Sequence, residues 1–169
     1  MSDITNTSIT QSELKSIFHY NPETGIFTRL ITQGCRAKGS SIICNENKYL
    51  GVRINNTPYK LHRLAWLYMT GVHSKYDIDH KNQFKNDNRW DNLREVTKSI
   101  NKQNMVKCRS DNKTGFLGVH FSKTYQKYAS QILVKELNKR IWLGYFDTPE
   151  EAHEAYLVAK RKHHIGCTI

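Results

Sequence analysis

Two brief apolar alternations, Asp77-Ile78-Asp79-His80 and Leu93-Arg94-Glu95-Val96, stand on either side of a loop made almost wholly of Asn, Asp, Lys and Arg. Runs this short with period two make strands rather than helices, and the first of them ends on an Asp-His pair. After the second, Lys98-Ser99-Ile100-Asn101-Lys102-Gln103-Asn104 reads as a helix that starts near Thr97. The stretch is therefore a strand-loop-strand-helix unit, and the rest of the chain has to support it.

The residue types gathered there suit one kind of chemistry. Asp79 offers a hard carboxylate and Asn101 an amide oxygen, a pairing suited to Mg²⁺ or Mn²⁺ rather than zinc. His80 is the side chain whose ordinary pKa lets it take a proton from water near neutral pH. A cation at a phosphodiester oxygen, with a histidine beside it to activate water, is a sufficient hydrolytic site, so the residues read as a one-metal nuclease. Taken singly each has a plainer account. An Asp-His pair can be a surface salt bridge or a capped turn, Asn92 a turn residue and Asn101 a solvated helix position. Their order, and the polar loop between them, carry the nuclease reading.

Asp79-His80, then Asn92, then Asn101 resembles the His-Asn-His/Asn pattern of HNH nucleases, particularly phage homing endonucleases with Asn as the last member. The surrounding Asp87-Asn88-Arg89-Trp90-Asp91-Asn92-Leu93-Arg94 resembles the family as well, as does Leu61-His62-Arg63-Leu64-Ala65-Trp66 upstream. The resemblance implies a ββα-metal fold with His80 as general base, Asp79 and Asn101 on the metal, and Asn92 as the loop brace that orients the histidine. It also implies that the helix docks on the minor groove of DNA. Asn101 stands where the family's name has His, which keeps Mg²⁺ favoured over softer metals.

Lys and Arg number 26 against 15 Asp and Glu, a net charge of +11, so a polyanion is the expected partner. At 169 residues two small modules fit. Cys35, Cys44, Cys108 and Cys167 form no CxxC pair and read as free thiols in a reducing compartment. No apolar run approaches the roughly 18 residues of a membrane span, and the polar N-terminus lacks the order of a signal peptide. The expectation is a soluble intracellular protein, in the host cytoplasm if phage-encoded, with no membrane partner.

Ahead of the central unit, Thr10-Gln11-Ser12-Glu13 has capping-box spacing before Leu14, Ile17 and Phe18. Asn21-Pro22-Glu23-Thr24-Gly25 is a turn leading into a strand at 26–30. Residues 31–47 give little pattern; Arg36 and Lys38 either touch phosphate or sit in a solvated loop. Tyr49–Ile54 and Pro58–Leu61 flank Asn55-Asn56 as a hairpin, and Leu61, Leu64, Ala65 and Tyr68 recur at helical spacing up to Gly71. That helix is expected to pack under the metal site, with His62 and Arg63 either packing or reaching a phosphate. Beyond it, Arg94, Lys98, Lys107, Arg109 and Lys113 are the basic groups expected on DNA, with 107–114 a linker that lies along the duplex or is free in solvent.

From Gly115 the period is two again, through strands near 116–122, 128–135 and 139–146, followed by a helix from Pro149 with Ala152, Ala155, Tyr156 and Ala159 on one face. Ile141 and Leu143 belong toward the helix, so Arg140 and Trp142 point outward unless Trp142 completes the core. An outward Arg and Trp suit a DNA groove. Gly115-Phe116-Leu117-Gly118-Val119, Tyr128-Ala129-Ser130-Gln131-Ile132, Trp142-Leu143-Gly144-Tyr145-Phe146 and Pro149–Tyr156 are similar to the AP2 DNA-binding domain, which also occurs fused to phage HNH nucleases. The resemblance implies major-groove insertion of the sheet, with His120, Gln131, Arg140 and Trp142 facing DNA. Leu117, His120, Ser122 and Leu133 replace family arginines, so the plant family's target sequence does not carry over.

The expectation is thus an α+β chain: an HNH part over 1–106 with its ββα-metal core near 76–106, a basic linker at 107–114, and an AP2-like sheet-and-helix reader over 115–169. Its function would be Mg²⁺- or Mn²⁺-dependent cleavage of double-stranded DNA, as a phage homing endonuclease acting as monomer or homodimer. The rivals are a non-catalytic DNA-binding regulator and an RNA-directed nuclease.

Overall fold

Strands of three or four residues cannot make a layer unaided, so in this chain they pair locally and lean on helices. The computed structural model describes residues 8–44, 46–105, 108, 110–164 and 166–168. The architecture is α+β, in two compact units, Met1–Thr97 and Lys98–Ile169.

In the first unit, helix α1 (Gln11–Ile17) starts at the expected capping box: Glu13 N donates to Thr10 Oγ1 at 3.3 Å and Thr10 N to Glu13 Oε2 at 2.8 Å. Strands β1 (Phe18–Tyr20), β2 (Phe27–Arg29) and β3 (Ser41–Ile42) form an antiparallel sheet in that order. The β1–β2 turn is fastened by Asn21 Oδ1, which accepts from the N–H groups of Glu23 and Thr24. Strands β4 (Gly51–Ile54) and β5 (Thr57–Lys60) make the expected hairpin, with Asn55 and Asn56 both at positive φ, as a two-residue turn requires. Helix α2 (Leu61–Thr70) follows at once and stops at Gly71 in the left-handed conformation. Strands β6 (Asp77–His80) and β7 (Leu93–Val96) pair antiparallel, Asp79 opposite Arg94 and His80 opposite Leu93.

One apolar core joins these pieces. Leu14 from α1, Phe18 and Phe27 from the N-terminal sheet, Leu61, Leu64 and Leu67 from α2, and Ile78 and Leu93 from the β6–β7 pair belong to a single buried cluster. At about 25 cal/mol per Å² of apolar surface removed from water, this burial, rather than the brief strand ladders, holds the unit together.

The second unit opens with helix α3 (Lys98–Gln103) and continues with β8 (Val119–Ser122), β9 (Lys127–Val134), β10 (Lys139–Phe146) and α4 (Pro149–His163). The sheet is antiparallel in the order β10-β9-β8, and Ile132, Val134, Ile141 and Leu143 pack with Tyr156 and Ala159 of α4. Helix α4 begins on a second capping box, Thr148 with Glu151, and has Pro149 in its first turn. Strand β8 starts later than the alternation suggested. Asn112 and Thr114 form a side-chain-fastened turn, and Gly115 and Gly118 are both at positive φ. A Cβ on Gly118 would enter the ring of Tyr156.

The compact units divide after Thr97. The reason is that α3 is tied to the last residues of the chain. Gly166 N donates to Gln103 Oε1 at 3.1 Å, Lys160 Nζ donates to the Met105 carbonyl, and a side chain on Gly166 would collide with the Ile100 backbone. Cys35, Cys44, Cys108 and Cys167 are free thiols. No described helix is long and apolar enough to cross a membrane.

Candidate functional site

Alternation along β6 buries Ile78 and His80 and leaves Asp77 and Asp79 half-buried on the opposite face, which Arg94 of β7 shares. His80 is only 3 % exposed. Its Nε2 lies 3.2 Å from Oδ1 of Asn88, itself 1 % exposed. An acceptor oxygen at that nitrogen keeps the proton on Nε2 and leaves the Nδ1 lone pair as the basic site. Burial pushes the His80 imidazole below its usual value, opposed by the Asn88 hydrogen bond and the nearby Asp79 and Asp87 carboxylates. A histidine so placed is neutral, and able to accept a proton, at pH 7.

The loop between the strands is cross-braced. Asn92, buried, accepts at Oδ1 from Asn82 N at 3.0 Å and donates from Nδ2 to the Asp87 carbonyl at 2.7 Å. Asp87 in turn accepts from Arg89 Nε and Nη2 at 2.8 and 2.6 Å and from Asn82 Nδ2 at 2.6 Å, and the Arg89 guanidinium holds its carboxyl below the usual range. The N-terminal hairpin grips this loop from outside. Tyr20 Oη donates to the Asn88 carbonyl at 2.7 Å, and Trp90 N donates to the Pro22 carbonyl at 2.9 Å. Gly25, at φ +73°, lies so close that a Cβ there would sit 2.5 Å from the backbone of Asn88 and Arg89.

Asp79 does not stand open. Its Oδ2 accepts from Arg94 Nε at 3.1 Å and Nη2 at 2.9 Å, a two-pronged ion pair directly across the strands. Arg94, expected to meet DNA, is thus engaged with the carboxylate expected to meet the metal. Asn101 lies on α3, half-buried, in the second unit. A carboxylate and an amide oxygen are donors that suit a hard divalent cation. Among the described residues no group of three or more His, Cys, Asp or Glu side chains could hold a metal, so no zinc-type ligand set is present there.

Two further side chains crowd the histidine. His62 of α2 is 4 % exposed, its ring meets that of His80 edge-on with centroids 5.1 Å apart, and its Nδ1 is buried without a hydrogen-bond partner among the described residues. Burial first, then the neighbouring His80, Lys60 and Arg63 charges, push its pKa down to about 3. Tyr49 lies 5.1 Å from the His62 ring and 6.0 Å from that of His80, with Lys60 and Lys85 over its faces at 4.7 and 5.3 Å.

Of the residues expected on DNA in the second unit, His120, Arg140 and Trp142 are exposed and Gln131 is half-buried. The register places His120 opposite Ala129, Trp142 opposite Gln131 and Arg140 opposite Leu133, so all four occupy the sheet face away from α4. Trp142 is 50 % exposed and does not complete the core. Between Trp142 and Gly144 the register slips by one residue, which brings Tyr145 to the same face, 4.8 Å from the Trp142 ring and 4.6 Å from that of Tyr125. Lys98 and Lys113 are exposed, while Lys107 and Arg109 lie outside the described residues.

Sequence reasoning passed over Asn88, Tyr49, Tyr125 and Tyr145. Asn88 had a signal, being one of several Asn in the loop, but only the fold says which one meets the imidazole.

Residues 59–103 match the family model described as HNH endonuclease, a span that begins in β5 and takes in α2, β6, the braced loop, β7 and α3. No curated protein and no solved structure matches the chain.

Proposed function

We propose, from the likeness of residues 59–103 to HNH endonucleases, that the chain is a metal-dependent DNA endonuclease of phage homing type with its own DNA reader. The observation that carries this is His80: buried, neutral, tautomer set by Asn88, and beside Asp79 inside the matched span. Nδ1 of His80 takes a proton from water as the water oxygen attacks phosphorus, the bond from phosphorus to the 3′ oxygen breaks, and that oxygen is protonated from solvent. The products are a 5′ phosphate and a 3′ hydroxyl. Asp79 and Asn101 would hold Mg²⁺ or Mn²⁺, which when bound supplies charge neutralisation at the scissile phosphate and the departing oxygen. Asn92 keeps the loop closed, and Arg94, when it lets go of Asp79, has a phosphate as its alternative partner.

The nuclease part extends through about residue 106, the basic segment 107–114 follows the duplex, and 115–169 reads it in the manner of AP2 domains. Arg140 meets phosphate or a guanine edge, and Trp142 packs on sugar and base with His120 and Gln131 beside it. One centre per chain cuts one strand, and a homodimer would cut both. A supercoiled plasmid incubated with protein and Mg²⁺ should be nicked by the native chain and left intact by His80→Ala, which still binds DNA. Nicking by His80→Ala at the native rate would remove His80 as the base.

The Asp79–Arg94 pair favours one other reading, a DNA-binding regulator whose catalytic carboxylate is permanently neutralised. The same assay separates them, since a regulator nicks under no metal or salt condition.

A further inference from the structure

Beside the β4–β5 hairpin runs a cleft of about 590 Å³, within the size range of small-ligand sites, with a floor of Leu50, Val52, Pro58 and Tyr59. Its walls carry four cations, Arg29, Arg36, Arg53 and Lys60. Among the described residues none of them is paired with a carboxylate. Arg53 Nη1 donates to Asn56 Oδ1 at 3.3 Å, and Lys60 lies over Tyr49. Arg29 is the telling one. It is only 9 % exposed, its Nη1 reaches no more than Ser40 Oγ at 3.3 Å, and its Nε is buried without a hydrogen-bond partner among the described residues. A buried guanidinium ordinarily has an anion against it. Four cations with no carboxylate partner among the described residues, over an apolar floor, suit a ligand with both a phosphate and a flat apolar part.

We infer that this cleft holds a nucleotide of the nucleic-acid strand next to the one being cut, its phosphate on Arg29, Arg36 and Arg53 and its base or sugar on the Tyr59 floor. Tyr49 argues for a strand rather than a free nucleotide. It lines the cleft and also stands 6.0 Å from the His80 ring, a distance that one nucleotide of an extended strand can span, so a chain with one phosphate at His80 continues into the cleft. The inference rests on the nuclease reading for its direction along the strand, but the cleft's occupancy is measured without cleavage.

The test uses the full-length protein in chelator, with a fluorescent DNA duplex titrated at several salt concentrations. Arg36→Gln with Arg53→Gln, both on the rim, should weaken binding at least ten-fold and lower the salt slope by about two, roughly 0.9 for each lost phosphate contact. Lys15→Gln with Lys75→Gln removes the same charge elsewhere in the unit and should weaken binding less than three-fold. Equal losses in the two double variants, or a native affinity and slope in the first, overturn the proposal. So does a deoxynucleoside monophosphate that saturates the cleft, followed by the Tyr49 and Tyr59 ring resonances, without displacing the duplex. If the native chain fills the cleft with duplex yet nicks no plasmid with any metal, the nuclease reading fails and the cleft stands.

Discussion

At the scale of single residues, the histidine depends on an asparagine whose role the loop sequence alone did not show. Removing the Asn88 oxygen leaves a buried ring nitrogen unsatisfied, a loss of about 1–3 kcal/mol, and lets the imidazole turn. Asn88→Ala should lower the nicking rate about 10- to 100-fold with DNA affinity unchanged, and Asn88→Asp, which keeps the oxygen, should retain more activity. Single-turnover nicking alongside a binding titration checks both. His80, Asp79 and Asn92 were legible in the sequence because their order and residue types are unusual together. Asn88 was not, because an Asn among several in a polar loop looks the same whether it faces water or a ring. Arg94 shows a different limit. Its charge suggested DNA, and only the antiparallel register reveals that it also lies directly across from Asp79 and is paired with it.

At the scale of elements, period and capping were sound guides and exact ends were not. The hairpin at Asn55-Asn56, the helix ending at Gly71 and the two capping boxes follow from local backbone preferences, which the sequence states outright. The bulge in β10 was not read, although Gly144 inside the strand pattern is the kind of residue that admits one. Strict alternation would put Tyr145 on the helix side of the sheet, whereas the bulge brings it beside Trp142. With that face as the reader, Trp142→Ala and Arg140→Ala should each cost about 1–3 kcal/mol of DNA binding, roughly 5- to 150-fold, while slow nicking survives at low salt. Anisotropy titrations at two salt concentrations would show it. The N-terminal hairpin gives a second test. Gly25→Ala adds a Cβ where the backbone is at φ +73° and 2.5 Å from Asn88 and Arg89. It should lower stability by about 1–3 kcal/mol and reduce nicking as the loop shifts, read by thermal unfolding and the plasmid assay.

At the scale of the whole molecule, the uncharged state of His62 ties stability to pH. Its pKa in the folded protein is about 3, against an ordinary 6.5 when unfolded, so below pH 6.5 the unfolded chain takes a proton that the folded one refuses. Its contribution is intact above about 6.5 and is lost as pH falls toward 3, at about 1.4 kcal/mol per pH unit, hence about 2 kcal/mol by pH 5. Unfolding by denaturant at pH 7 and pH 5 should show that loss, and His62→Phe should reduce it, with buried His80 contributing in the same direction.

On the proposed nuclease reading, the grip of the β1–β2 hairpin on the Asn88–Trp90 loop bears on how much chain cleavage requires. A protein engineer who excised residues 59–103 for grafting onto another targeting module would leave behind Tyr20, Pro22 and Gly25, and with them the clamp that seats Asn88 against His80. Such a graft would carry the recognisable letters and, assayed on supercoiled plasmid, should nick far more slowly than the full chain. A portable version has to begin no later than the cap at Thr10, so the smallest transferable cassette is set by a turn that resembles nothing catalytic.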